Sequence, residues 1–295
     1  MTGRPRAAAR IWWEGARPRT LAASVAPVVV GTAAAAHPTA LRALAALVVS
    51  VALQVGVNYE NDYSDGVRRV DTGERVGPVR LTASGLASPA AVRAAALVSF
   101  GLAATAGLWL ALATNPWLLA FGATALVGAV LYSGGPRPYA GLGLGEVSVF
   151  LFFGLFATCG TAYVQGRALP AAAWLGGTAM GLLAAAILVA NNLRDVATDT
   201  AVGKATLAVR LGAARTRTLY RTLVAVALLL PVAGTAVGRL PAWTLLTLAA
   251  APLAARAWSR IDREGRDLVP ALMLTSLLEL AAAALLSVGL TLGRV

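Results

Sequence analysis

Charge is scarce in this chain. Asp, Glu, Lys and Arg together make up 13% of the 295 residues, about half the share found in soluble globular proteins. Cysteine and histidine are scarcer still, with Cys159 inside an apolar run and His37 in a short connection at a helix end. One of each excludes a disulfide framework and a Cys/His zinc cluster, and both read as structural bystanders. Lys204 is the only lysine among 25 basic residues. No signal peptide is expected, because no small-residue cleavage site follows a short apolar stretch near the basic N-terminus. Nor is there a GxGxxG loop between a strand and a helix. The string GLGLGE ending at Glu146 opens an apolar run, and reads as a loop and helix start.

What the chain has instead is apolar length. Hydrophobic residues make up 58% and the mean hydropathy is +0.72. A bilayer core takes about 20 mainly apolar helical residues. Runs of that kind occur at 20–36, 40–58, 89–114, 116–133, 144–164, 171–193, 218–237, 241–258 and 270–292, and Pro89, Pro116, Pro241 and Pro270 stand at first turns, where a missing N–H is tolerated. The expectation is an all-α polytopic membrane protein with about nine transmembrane helices, forming one domain over residues 1–295. A net charge of +12 would suggest nucleic acid in a soluble protein. Here the basic residues fall between the apolar runs. With a cytoplasmic N-terminus, all but Arg42, Arg167, Arg239 and Arg294 of the 25 lie on the inner side, the positive-inside pattern.

The 13 acidic residues are informative because they are few. Glu60, Asp62, Asp65, Asp71 and Glu74 lie in the connection after the second run, and Asp195 and Asp199 follow the sixth. Both sets fall on the inner side in this topology. Asn58 and Asp62 are four apart, as are Asn61 and Asp65, and Asn191, Asp195 and Asp199 repeat the interval, so each set shares a helix face. Carboxylates and amides without His or Cys form a hard oxygen donor set that suits Mg²⁺, which takes a few carboxylates plus substrate phosphate. Two such sites facing each other would hold a diphosphate between them. Isolated acids at helix ends read as solvated loop charges. Twin N-x-x-x-D repeats opening both large loops favour a site.

Cations accompany both sets: Arg68 and Arg80 follow the first, and Arg194 and Lys204 flank the second. Arg137, in the loop SGGPRPYAG after Tyr132, is a third source. Each suits a diphosphate's charge, and each arginine reads equally as an orientation signal. Glu279, within the last run, stays unassigned.

The string NYENDYSDGVRRVDTGERVGPVRLTASG over residues 58–85 resembles the first aspartate-rich motif of the UbiA-type intramembrane prenyltransferases, and NNLRDVATDTAVGKATLAVRLG over 191–212 resembles the second. ARPRTLAASVAPVVVGTA and YSGGPRPYAGLGLGEVSVFLFFG resemble the branch that prenylates 1,4-dihydroxy-2-naphthoate for menaquinone synthesis. The resemblance covers nearly the whole chain. It departs at position 69, where the family's N-D-x-x-D-x-x-x-D motif has an acid; Arg69 stands there and Asp71 is the next acid.

The resemblance implies nine helices around a central cavity with a cytoplasmic cap. It implies Mg²⁺ held by Asn58, Asp62, Asp65, Asp195 and Asp199, and a polyprenyl diphosphate contacted by Arg68, Arg80, Tyr132, Arg137, Arg194 and Lys204. The implied reaction prenylates the naphthoate with loss of diphosphate and CO₂, giving demethylmenaquinol at the cell membrane. The alternatives are another aromatic acceptor such as 4-hydroxybenzoate or, in a different class, a polytopic transporter. Acids gathered at one membrane side count against the transporter.

Overall fold

In the computed structural model, residues 4–68, 79–136 and 138–294 are described, and among them every regular element is helical. In chain order these are α1 (Arg4–Gly15), α2 (Ala22–Ala34), α3 (Ala40–Val67), α4 (Pro89–Thr114) and α5 (Leu118–Ser133). A 3₁₀ turn at Tyr139–Leu142 leads into α6 (Gly145–Val149), which continues through a π-helical stretch (Phe150–Phe156) into α7 (Ala157–Gly166). Then come α8 (Ala171–Arg194), α9 (Val196–Ala201) and α10 (Leu207–Ala236). A 3₁₀ helix (Ala242–Ala250) runs into α11 (Ala251–Arg260), and α12 (Val269–Leu292) closes the fold.

Among the described residues six helices are long and apolar enough to cross a membrane: α3, α4, the continuous Gly145–Gly166 helix, α8, α10, and α12 with the turn before it. The other three expected spans are also helical but differ. The α2 and α5 helices have 13 and 16 residues, or roughly 20 and 24 Å of rise against a hydrocarbon core of about 30 Å. The 241–258 run begins as a nine-residue 3₁₀ helix rather than an α-helix. The expected 218–237 span starts earlier, at Leu207, with a kink where Gly212 adopts φ 75°. Only glycine enters that region freely.

The helix most enclosed by its neighbours is α8, which packs against α2, α10, α12 and the π-helical stretch. Its small residues permit this, since small side chains let membrane helices approach backbone to backbone. At the tightest point a Cβ on Gly154 would lie 2.3 Å from the Gly181 Cα. One apolar cluster joins α2, α8, α10, α11 and α12. Another gathers Ala16, Tyr59, Leu81, Val92 and Phe100 around α3 and α4. Large apolar side chains such as Val98, Leu112, Leu229 and Met273 remain exposed, a surface whose natural partner is lipid. Trp117, Trp174 and Trp243 stand exposed at the starts of their helices, as interfacial tryptophans do.

Candidate active site

The α3 helix has 28 residues, a rise of about 42 Å. That exceeds a hydrocarbon core of about 30 Å, and the polar side chains gather in its last turns. One face of these turns, carrying Gln54, Asn58, Asn61, Asp65 and Arg68, lines a cavity of about 810 Å³. Asp62 lies about 100° around the helix from Asn61 and points elsewhere. Its two carboxylate oxygens accept the backbone N–H groups of Leu81 (2.8 Å) and Thr82 (2.9 Å). Of the expected set, Asn58 and Asp65 therefore line the cavity together with Asn61, whereas the Asp62 carboxylate faces the Leu81 and Thr82 amides. Asp62 instead anchors the segment that carries Arg80 into the cavity wall.

The second acidic set is likewise divided. The α8 helix stops at Arg194, and Asp195 occupies the junction with α9. Asn191 and Asp199 line the cavity, whereas Asp195 and Arg194 are buried behind it. Arg194 grips Asp195 as a fork, Nε to Oδ1 at 2.8 Å and Nη2 to Oδ2 at 2.7 Å, and also donates to Asn191 Oδ1 at 2.9 Å. The expected single face of Asn191, Asp195 and Asp199 is thus broken at Asp195.

The two sets meet through cations. Lys204 Nζ lies 3.0 Å from Asp65 Oδ2, with Gly203 before it at φ 73°. Arg80 Nη2 approaches the same oxygen at 3.4 Å. Arg68 donates to the carbonyls of Ser133 and Gly135 while lining the cavity. Tyr132 lines it too. Arg137, Arg69, Asp71 and Glu74 lie outside the described residues.

Sequence reasoning missed Arg17, Tyr139 and Asn192 in the wall. Arg17 has a left-handed backbone, φ 54°, a conformation rare for a non-glycine residue. The doubled asparagine of the second motif was the available signal for Asn192. Tyr139 donates its hydroxyl to Gly128 O at 2.7 Å. Burial raises its pKa, with a hydrogen bond to Ser148 opposing, so it stays a donor. Beyond this polar end the wall is apolar, with Leu53, Leu119, Phe121, Phe152, Phe153 and Phe156.

The donor chemistry fits a hard cation. Asn58, Asn61, Asp65, Asn191 and Asp199 offer oxygen ligands from both aspartate-rich segments, the type Mg²⁺ prefers. Among the described residues no three Asp, Glu, His or Cys side chains converge to hold an ion by themselves. A cation there would complete its shell from phosphate oxygens and water, as Mg²⁺ commonly does.

Helices of membrane-spanning length thus surround a cavity with a charged end and an apolar, aromatic-lined length. The UbiA prenyltransferase family model matches residues 24–286, and the chain belongs to that family. It is 50% identical to the 1,4-dihydroxy-2-naphthoate octaprenyltransferase of Mycobacterium tuberculosis over 96% of this chain and 97% of that one. The fold resembles a UbiA homolog from Aeropyrum pernix K1, with a TM-score of 0.69 at 18% identity over 93% of this chain and 98% of that one. It also resembles a UbiA homolog from Archaeoglobus fulgidus bound to DMAPP and Mg²⁺, with a TM-score of 0.64 at 18% identity over 94% of this chain and 99% of that one.

Proposed function

We propose that this chain transfers a polyprenyl group from polyprenyl diphosphate to 1,4-dihydroxy-2-naphthoate, releasing diphosphate and CO₂ to give demethylmenaquinol. The observation that carries the reading is the Lys204–Asp65 contact, which joins both aspartate-rich segments at the head of an apolar cavity. The near-full-length likeness to a naphthoate octaprenyltransferase supplies the acceptor.

Lys204, Arg68 and Arg80 bind the diphosphate oxygens with charge-assisted hydrogen bonds, which strengthen as the allylic C–O bond breaks and its electron pair leaves with the diphosphate. Mg²⁺, when bound through Asp65, Asp199 and Asn58, supplies Lewis-acid stabilisation of that leaving group. Asp62 and Asp195, each hydrogen-bonded away from the cavity, hold the Arg80 segment and the α8–α9 junction in position. Phe121, Phe152, Phe153 and Phe156 exclude water from the electron-poor allylic carbon. The ring carbon carrying the carboxylate bonds to that carbon, and CO₂ departs, leaving its bonding pair in the ring. A single domain in the cell membrane with nine membrane helices, a cap formed by the two loops and a cytoplasmic N-terminus completes the reading. This places diphosphate and the aromatic acid on the aqueous side and the prenyl tail in lipid.

The test is an assay in membranes with one polyprenyl diphosphate and several aromatic acids, products resolved by mass. A decarboxylated prenyl naphthalenediol is the expected product. Prenylation of 4-hydroxybenzoate alone would overturn the acceptor, and no diphosphate release with any acid would overturn the enzyme.

A further inference from the structure

One buried acid has no part in the steps above. Glu146 sits in the first turn of α6, 6% exposed. Its Oε1 accepts a hydrogen bond from Asn192 Nδ2 at 2.8 Å, and its Oε2 is buried with no partner among the described residues. Glu146 itself does not line the cavity, whereas Asn192 does. The two ends of an asparagine amide are nearly the same shape, and only their hydrogen bonds decide which way it faces. The amide's NH₂ group is the end that faces the Glu146 Oε1 acceptor, so Glu146 holds that group toward itself. That leaves Asn192 Oδ1 as the amide's outward acceptor, with no donor from the described residues.

The wall beside Asn192 suits a flat ring. Tyr132 and Tyr139 line the cavity edge to face, centroids 5.6 Å apart at 89°. Tyr139 is fixed by its hydroxyl bond to Gly128 O. Tyr132 lies against the start of α6, where a Cβ on Gly145 would stand 3.5 Å from its hydroxyl oxygen. Ser148, one turn further along the same helix, also faces the cavity. Asn192 adjoins Asn191, which borders the polar head end.

We infer that Glu146 is a positioning residue for the acceptor: it orients the Asn192 amide so that Oδ1 takes a hydrogen bond from a hydroxyl of a hydroxylated aromatic ring seated against Tyr132 and Tyr139. This rests on the prenyl-transfer reading and names the acceptor subsite within it. The orientation acts through Asn192 and moves no proton. Its loss therefore falls on acceptor binding.

The full chain in membranes is assayed with 1,4-dihydroxy-2-naphthoate and a polyprenyl diphosphate, each varied at saturation of the other. Glu146→Ala and Asn192→Ala should each raise the acceptor KM about tenfold, the loss of about one hydrogen bond, with donor KM within twofold. Glu146→Gln, which keeps an acceptor for Nδ2, should restore the acceptor KM to within about threefold of the parent. The double alanine variant should be no worse than Asn192→Ala alone, because Glu146 works through that amide. Donor binding, measured directly, controls for folding. If Glu146→Ala loses it, Glu146→Gln and Asn192→Ala decide. An unchanged acceptor KM in Asn192→Ala overturns the inference, as does a multiplicative double variant. A kcat loss in Glu146→Gln at parental KM also overturns it, in favour of direct proton transfer. A parent chain that prenylates no aromatic acid is a separate result and refutes the underlying reading instead.

Discussion

Lys204 Nζ stands 3.0 Å from Asp65 Oδ2 across 139 residues of chain, so the chain's only lysine binds the second aspartate-rich segment to the first. The lysine side chain is 24% exposed and the aspartate's 7%. The pair sits on the cavity wall, where a phosphate oxygen can take the carboxylate's place. A compact ammonium suits one such oxygen as a point charge. Lys204→Met should raise the donor KM or lower kcat by about tenfold to a thousandfold, the loss of a charged contact of about 1.5–4 kcal/mol. The acceptor KM should change little. Parental kinetics in the Met variant would reduce Lys204 to an orientation signal.

The divided roles of the aspartates separate activity from stability. Asp65→Asn and Asp199→Asn, which keep an oxygen acceptor in place but lose the charge, should cut turnover by orders of magnitude while changing the melting temperature in detergent less than Asp62→Ala does. Asp62→Ala strands the Leu81 and Thr82 amides and should lower stability by about 2–4 kcal/mol as well as activity. Equal melting temperatures for the Asp62 and Asp65 variants would contradict this division.

Metal should be required and held jointly with the donor. Turnover should vanish in chelator and return with Mg²⁺ or Mn²⁺. Calorimetry should show Mg²⁺ binding markedly tighter when a prenyl diphosphate is present, because no three acidic side chains converge among the described residues. Full turnover in chelator would sink the ligand assignment.

Packing of the π-helical stretch on α8 should tolerate no added carbon at its closest point. Gly154→Ala brings a methyl to 2.3 Å from Gly181 and should destabilise the protein by about 1–3 kcal/mol. Gly166→Ala, with nothing within 4 Å of its added Cβ, is the control. An unfolding titration in mixed micelles that fails to separate the two would show that the helices part easily.

Topology is open to labelling. Ala83 is exposed and Cys159 is buried, so Ala83→Cys should be the main reactive thiol. It should react with an impermeant maleimide only from the cytoplasmic side, as the arginine distribution requires. Labelling of intact cells from outside would invert the orientation and the active site with it.

The sequence alone determined the class of fold and which polar residue types gather in the two aspartate-rich segments. Long apolar runs leave the backbone no choice but helix in lipid, and acids so few in so apolar a chain mark where charge has a use. It also determined that Asn58, Asp65, Asp199 and Lys204 belong to the two aspartate-rich segments. The tertiary structure decided which of those side chains face one another. The interval of four that pairs Asn58 with Asp62 is a property of any helix, whereas the buried Asp62 turns away from the cavity because Leu81 and Thr82, on another segment, offer it two amides. Asp195 is withdrawn because α8 ends one residue earlier and Arg194 closes on it. Glu146 looked like the start of a helix and no more, since nothing local reveals that Asn192 packs against it from 46 residues away. Spacing along a chain fixes a face, but what that face meets depends on contacts between segments that no local pattern encodes.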